Sequence, residues 1–265
     1  MTDDDVRLVW FIKHPSARAW SVNPYKQCGI QCVYCIARSQ GKAEPWFGAD
    51  RVVAELRSRI AAVPPDVEVG VGALVDAYPR EEEELGVTRL VLAELSRQAR
   101  PFCVNTKSNL VQRDTDILVQ HRGHCDVFIS LCALDNSIIS RLELNAPSVA
   151  DRLQAVSALH RAGVDVNIDA APWIPGVSDI GALLNALPPG VRVQVGPLDI
   201  RHIGSEAQLA GMNFTQEQIN AAYRQHREAV GNNSRVRWKD TVSCGTPNQD
   251  IDVMVDTAHL SLIHI

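Results

Sequence analysis

The sequence predicts a parallel α/β fold, and two observations carry that prediction. Helical and strand-like patterns alternate along the chain, as they do in consecutive β/α units. At 265 residues, 46% of them hydrophobic, the chain is long enough for a full core within the size range of a single barrel-type domain. The alternation starts at a strand near Ser21. Asp50 is then the expected N-cap of a helix within Gly48 to Val63, whose apolar residues recur at helical spacing until Pro64-Pro65 stops it. Val67 to Leu74 reads as a strand, Leu85 to Ala99 as a helix and Phe102 to Thr106 as a strand. A helix from Asp114 leads into a strand at Asp126 to Leu131. Ser148 to Ala162 has the most complete helix signature, with Ser148 as cap, Asp151 in the first turn and Gly163 as the stop. Strands at Val164 to Ala170 and Val191 to Val195, separated by a helix from Asp179 to Leu187, bring the strand count to six. Farther on, Thr215 to Val230 is helical, Gly231 to Ser234 forms a turn, and Arg235 to Val242 is a strand expected to cover the open end of the core.

Composition excludes some functions and favours a compartment. A formal net charge of -5 with 22% charged residues is ordinary for a globular protein, so bulk charge implies no polyelectrolyte partner; nucleic-acid binding would need a local basic groove. The acidic start, Met1 to Asp5, lacks the basic-then-apolar order of a signal peptide, and no apolar run approaches the ~20 residues of a membrane span. Seven cysteines, an odd number with three clustered, are expected to be reduced thiols in a cytoplasm.

The cluster lies in Asn23 to Arg38, where Cys28, Cys32 and Cys35 fall within eight residues. Thiolates at this spacing can converge on one side of a loop and hold three irons of a cubane 4Fe-4S cluster. Electron-transfer clusters are mostly closed by four cysteines. Here the fourth iron would lack a protein ligand and could take a small molecule through an amine and a carboxylate, as S-adenosylmethionine does. Structural zinc with a fourth ligand such as His14 is the alternative, although zinc loops tend to pair C-x2-C with a distant second pair, absent from this chain. Inert buried thiols fit less well, because Lys26, Gly29 and Gln31 beside these cysteines form no apolar periodic face.

Cys28, Cys32 and Cys35, with Tyr34 just before the third, resemble the motif of the radical S-adenosylmethionine (radical SAM) superfamily. Asn23-Pro24-Tyr25 before the loop and Ala37-Arg38 after it are similar to the branch that contains spore photoproduct lyase. The resemblance covers Ser21 to His202 and implies an open partial (β/α)6 barrel over 21–202. An N-terminal extension of 1–20 and a short C-terminal extension of 203–259 complete the expected organisation. Leu260 to Ile265 resembles the translation of a sequencing adaptor and is expected to be a non-native tail.

The resemblance also assigns roles. Lys107, in Asn105-Thr106-Lys107-Ser108, and Ser130 match the residues that hold the carboxylate of S-adenosylmethionine; an ammonium and a hydroxyl at strand ends suit a partly desolvated carboxylate. A solvated loop lysine is the plainer account of Lys107. Asp76 matches an acidic residue near the cofactor's amino group, with a turn cap as its plainer role. Tyr34 fits an adenine contact or a shield for the cluster. Glu143-Leu144-Asn145-Ala146-Pro147 and Pro172-Trp173-Ile174-Pro175-Gly176 resemble family turns whose simplest role is structural, and Trp173 reads as a packed aromatic.

In such enzymes one electron from a flavodoxin or ferredoxin enters the cluster and cleaves the cofactor to methionine and a 5'-deoxyadenosyl radical, which takes hydrogen from the substrate. The lyase itself needs a cysteine hydrogen donor three residues before the position of Asp76 and a tyrosine directly after the third cluster cysteine. Those positions are Ala73 and Ile36 here, so thymine-dimer repair is disfavoured against a small-molecule or peptide substrate. Cys132, two residues beyond Ser130 on the same strand face, is a candidate donor, with a buried core thiol as the alternative; Cys244, on a loop, is a second candidate. Cys103 and Cys125 read as core. A non-catalytic zinc-binding interaction module is the remaining alternative.

Overall fold

The computed structural model describes residues 10–13, 20–35, 41–200 and 214–239. Among these, eight strands form a single sheet whose spatial order follows the sequence: β1 (Phe11–Lys13), β2 (Trp20–Val22), β3 (Val69–Val71), β4 (Phe102–Thr106), β5 (Cys125–Ser130), β6 (Asp165–Trp173), β7 (Val193–Pro197) and β8 (Val236–Trp238). β1 pairs antiparallel with β2, and every later pair is parallel. The helices are α1 (Val52–Ile60), α2 (Glu82–Leu85), α3 (Val87–Arg97), α4 (Thr115–Gln120), α5 (Asn136–Leu142), α6 (Val149–Ala162), α7 (Ile180–Ala186) and α8 (Gln216–Val230), with a 3-10 turn at Asn109–Asp114.

The expected six parallel strands are β2 to β7, in an unclosed sheet. Two edge strands extend it. β1 is too short to leave a periodic trace, and β8 continues the parallel sheet beside β7 where a cover over its open end was expected. The rest of that expected strand, Asp240 to Val242, lies outside the described residues, as do Cys244, His14, Ile36, Ala37 and Arg38.

Strand register sorts side chains onto two faces. One face carries the row Val71, Val104, Val127 and Val166, followed by Thr106, Ile129, Ile168 and Val193. On the other, Cys103 aligns with Asp126, Asn105 with Phe128 and Asn167, and Ser130 with Asp169 and Gln194. Several of these polar groups satisfy one another: Asn167 Nδ2 donates to Asp126 Oδ1 (3.0 Å), Arg192 Nε to Asn167 Oδ1 (3.1 Å) and Gln194 Nε2 to Asp169 Oδ1 (3.3 Å). Parallel strands covered on both faces are usually apolar throughout, so this alternation marks a face that holds polar chemistry.

Helix termini show where local signals sufficed. α6 has Ser148 as its cap, Asp151 in its first turn and Gly163, at φ 82°, as its stop, as expected; Ser148 and Asp151 bond reciprocally as a capping box. α7 is capped by Asp179, whose Oδ1 accepts from Ala182 N at 3.0 Å. Asp50 is not a cap: α1 starts after Arg51, with no side-chain cap, and the Val52 N–H bonds instead to the Gly48 carbonyl at 3.0 Å. The helix expected over Leu85 to Ala99 is divided by Gly86 at φ 62°, a left-handed position open to glycine. The Glu82 carboxylate reaches across that break to the N–H groups of Thr88 (2.9 Å) and Arg89 (3.2 Å), which start α3.

Glu82 belongs to a buried charge network. It also accepts from Tyr25 Oη (2.6 Å) and Arg113 Nη2 (2.5 Å). Asp114 accepts from Tyr78 Oη (2.9 Å), Arg89 Nη1 (2.9 Å) and Arg113 Nε (2.8 Å). Both carboxylates are fully buried, so each needs these partners. The helix expected from Asp114 is α4, for which Asp114 is the N-cap position; the same residue closes the 3-10 turn, and its side chain, free of any cap bond, anchors that turn. No helix among the described residues is long and apolar enough to cross a membrane. Arg113→Met strips one cation from two buried carboxylates and is expected to destabilise the fold by about 3–5 kcal/mol; an unchanged urea midpoint would show that the network contributes nothing.

Candidate metal and cofactor site

The chain leaves β2 through Asn23, whose Oδ1 accepts from the N–H groups of Leu74 (3.0 Å) and Val75 (3.3 Å) just beyond β3. Tyr25 follows, tied to Glu82 as described. Asn23-Pro24-Tyr25 is therefore a clamp that fixes where the cysteine loop starts. Gln31, at φ 58°, turns the loop between the first and second cysteines, and Cys35 N donates to Cys32 O at 3.2 Å.

The loop docks on the segment joining α5 to α6. Cys32 forms an antiparallel bridge with Glu143, and Val33 N donates to Leu142 O at 2.9 Å. Asn145 holds the other side through its N–H to Ile30 O (3.0 Å) and its Nδ2 to Gly29 O (2.8 Å). Side chains repeat the attachment. Tyr34 donates its hydroxyl to Glu143, and Glu143 Oε2 lies 2.5 Å from Arg152 Nη2 of α6. Arg152 in turn donates to the carbonyls of Ser130 (3.0 Å) and Pro147 (3.0 Å). The Glu143 turn, expected to be structural, is the seat of the loop.

Lys107 directly follows β4 and Ser130 is the last residue of β5, at the carboxyl ends of paired strands, where ligands gather in parallel sheets. Lys107 Nζ lies 5.8 Å from the centre of the Tyr34 ring. Burial opposes its charge, but the Cys32 sulfur, Glu143 and Asp76 outweigh that and hold its pKa above the usual lysine range. Lys107, half-buried just beyond β4, faces the cysteine loop. Ser130 presents a half-buried hydroxyl and uses its carbonyl to anchor Arg152.

Asp76 is heavily engaged. Its Oδ1 accepts from Thr106 Oγ1 (2.6 Å) and Tyr78 N (2.9 Å), and its Oδ2 from Lys107 N (2.8 Å). It therefore caps a turn while binding the end of β3 to the end of β4. Cys132 is 2% exposed and adjoins Tyr34; burial, reinforced by Glu143, pushes its thiol up to about 12. Ala73 is buried near the end of β3, Cys103 and Cys125 are buried within strands, and Trp173 packs against Tyr223 with ring centres 5.6 Å apart.

The three loop thiols share one neighbourhood. Burial pushes Cys28 up to about 11, with the Asp76 charge adding to it. Burial also raises Cys32, which feels Glu143, Cys28 and Cys35 in the same direction and Lys107 in the opposite one. Among the described residues, no three His, Cys, Asp or Glu side chains are gathered around a single point as ligands of one metal ion. A cubane makes a different demand, because each cysteine takes a separate iron. Three thiols on one loop, within electrostatic reach of each other and of an ammonium, fit that donor set.

Comparison with solved structures places the fold. Spore photoproduct lyase complexed with dinucleoside spore photoproduct aligns at a TM-score of 0.59 and 16% identity, covering 80% of this chain and 66% of that one. Streptococcus suis SuiB bound to S-adenosylmethionine aligns at 0.58 and 13% identity, covering 84% and 50%. The chain has the radical SAM fold. No protein-family model matches it. In sequence it is 27% identical over 193 residues to uncharacterised proteins of Mycobacterium tuberculosis and Mycobacterium bovis, a match that spans 66% of this chain and 56% of each relative. Within this fold, the segments following β3, β4 and β5 bring Asp76, Lys107 and Cys132 beside the cysteine loop, while Ser130 is joined to it through Arg152 and Glu143.

Sequence reasoning missed Glu143 and Arg152 as site residues. A signal for Arg152 was present, since it lies on the stripe of α6 that also carries the buried Val149, Ala155, Val156 and Leu159. A charge on an apolar stripe needs a buried partner. Asp76→Ala would leave the Thr106 hydroxyl and the N–H groups of Tyr78 and Lys107 without their acceptor, and is expected to cost about 1–3 kcal/mol in urea unfolding; unchanged stability would remove Asp76 from this bracing role.

Proposed function

We propose that the chain is a radical SAM enzyme in which Cys28, Cys32 and Cys35 hold a 4Fe-4S cluster, while Lys107 and Ser130 receive the carboxylate of S-adenosylmethionine. The observation that carries this reading is the seating of a C-x3-C-x2-C loop against Lys107, whose Nζ lies 5.8 Å from the centre of the Tyr34 ring, on a fold of this kind. When bound, the two cofactors supply one-electron cleavage of S-adenosylmethionine to a 5'-deoxyadenosyl radical. The chain's own residues bind, orient and exclude water. Lys107 places a cation where the carboxylate would lie, and the buried Tyr34 ring shields the loop. Asp76 holds the Lys107 backbone in place, a role that its accepted bonds favour over contact with the cofactor's amine.

The substrate we favour is a small molecule or peptide. Ala73 stands where the lyase carries its cysteine, and SuiB, of the same fold, has been solved bound to its precursor peptide SuiA. Cys132, inside the site beside Tyr34, is the described thiol best placed to return a hydrogen. A cytoplasmic flavodoxin or ferredoxin is the electron donor this chemistry calls for.

The test is reconstitution with iron and sulfide under anaerobic conditions, followed by dithionite and S-adenosylmethionine. A brown protein that forms 5'-deoxyadenosine is expected; a colourless protein that binds zinc without iron and forms none would overturn the proposal in favour of a zinc module. Alanine at Cys28, Cys32 or Cys35 is expected to abolish formation of 5'-deoxyadenosine. Lys107→Ala is expected to weaken S-adenosylmethionine binding about 10- to 100-fold, the loss of one charge-assisted hydrogen bond, with iron content retained. Loss of iron instead would make Lys107 structural.

A further inference from the structure

The Glu143–Arg152 pair sits behind the cysteine loop, fully buried on both sides: Glu143 is 1% exposed and Arg152 0%. A buried ion pair seldom stabilises a protein more than apolar side chains of similar volume would. Arg152 lies on a stripe of α6 where such residues already predominate. What the pair touches is more informative than its stability. Glu143 meets the loop twice, through the main-chain bridge to Cys32 and through the Tyr34 hydroxyl. Arg152 lies on the far side of Glu143 and donates to the carbonyls of Ser130, at the end of β5, and Pro147, just before α6. The anion therefore faces the loop, and the cation faces the strand end.

We infer that Glu143 and Arg152 are a positioning and charge-setting pair for the cysteine loop, fixing Tyr34 and Cys32 relative to Ser130 and setting the local field in which a bound cluster would accept an electron. The inference rests on the proposed cofactor reading. Both groups act through Tyr34, Cys32 and Ser130, so each is a positioning residue. Their charges have opposite consequences. Neutralising Glu143 removes a negative charge beside the loop and eases electron addition, whereas neutralising Arg152 exposes that negative charge and hinders it.

The experiment is a redox titration of the reconstituted protein, monitored by electron paramagnetic resonance without S-adenosylmethionine. Glu143→Gln is expected to shift the midpoint potential positively. Arg152→Met leaves a buried carboxylate uncompensated and is at risk of misfolding, so its effect is read in the Glu143→Gln background, where the second substitution should move the potential back in the negative direction. Tyr34→Phe, which preserves both charges and cuts the side-chain link, should release iron to a chelator several-fold faster. A merely structural pair would leave the potential unmoved, or move it the same way in both variants, and either result would overturn the inference. Absence of any cluster in the unsubstituted protein would instead overturn the proposed function, so the two failures are distinguishable.

Discussion

The cysteine loop has little regular structure of its own, and its position depends on one attachment: the antiparallel bridge between Cys32 and Glu143, flanked by bonds from Val33 to Leu142 and from Asn145 to Ile30. An irregular loop must find partners for its backbone groups outside itself. This one finds them on the α5–α6 connection, and through that connection it is tied to Arg152 and the end of β5. Remove the bridge, and neither the facing of Cys32 toward Lys107 nor the burial of Tyr34 would be specified.

The same principle extends outward. Asn23 clips the start of the loop to the turn after β3, Tyr25 locks it to Glu82, and Glu82 shares Arg113 with Asp114. Asp76 then joins the ends of β3 and β4 through Thr106 and the Lys107 N–H. These groups lie along one end of the sheet, where parallel strands leave backbone and side chains to be satisfied by the connections between them. Burial makes each unpaired charge costly, which turns a set of polar contacts into a rigid frame. A rigid frame is what a cofactor site requires if its thiols and its ammonium are to meet a ligand without reorganising.

The polar face of the sheet adds a second element. Asn167, Asp169 and Gln194 alternate with Ile168, Val193 and Val195, so one face of β6 and β7 carries polar groups although the strands lie within a parallel sheet. That period of two was visible in Asp165-Val166-Asn167-Ile168-Asp169-Ala170, and it marks an interior that carries polar groups, in contrast to a uniformly apolar core. The pairing of Asp126, Asn167 and Arg192 at one end and of Asp169 with Gln194 farther along keeps those groups satisfied.

Much of this was legible in the chain. Six parallel strands, the capping of α6, the helical stretch of α8 and the three-thiol loop all arise from residues close in sequence, where period, cap chemistry and spacing act locally. The break at Gly86 and the antiparallel β1 were not, because a three-residue strand has no period and the bonds that start α3 at Thr88 and Arg89 come from Glu82, a side chain ahead of the expected helix. By itself the sequence determined the grouping of three thiols with a tyrosine, since all four lie within eight residues. Only the tertiary structure decided how that group is held. Tyr34 and Glu143 are separated by 109 positions, and Asp76 and Lys107 by 31; contacts at such separations leave no trace in local pattern, because they exist only once the strands have brought their ends together.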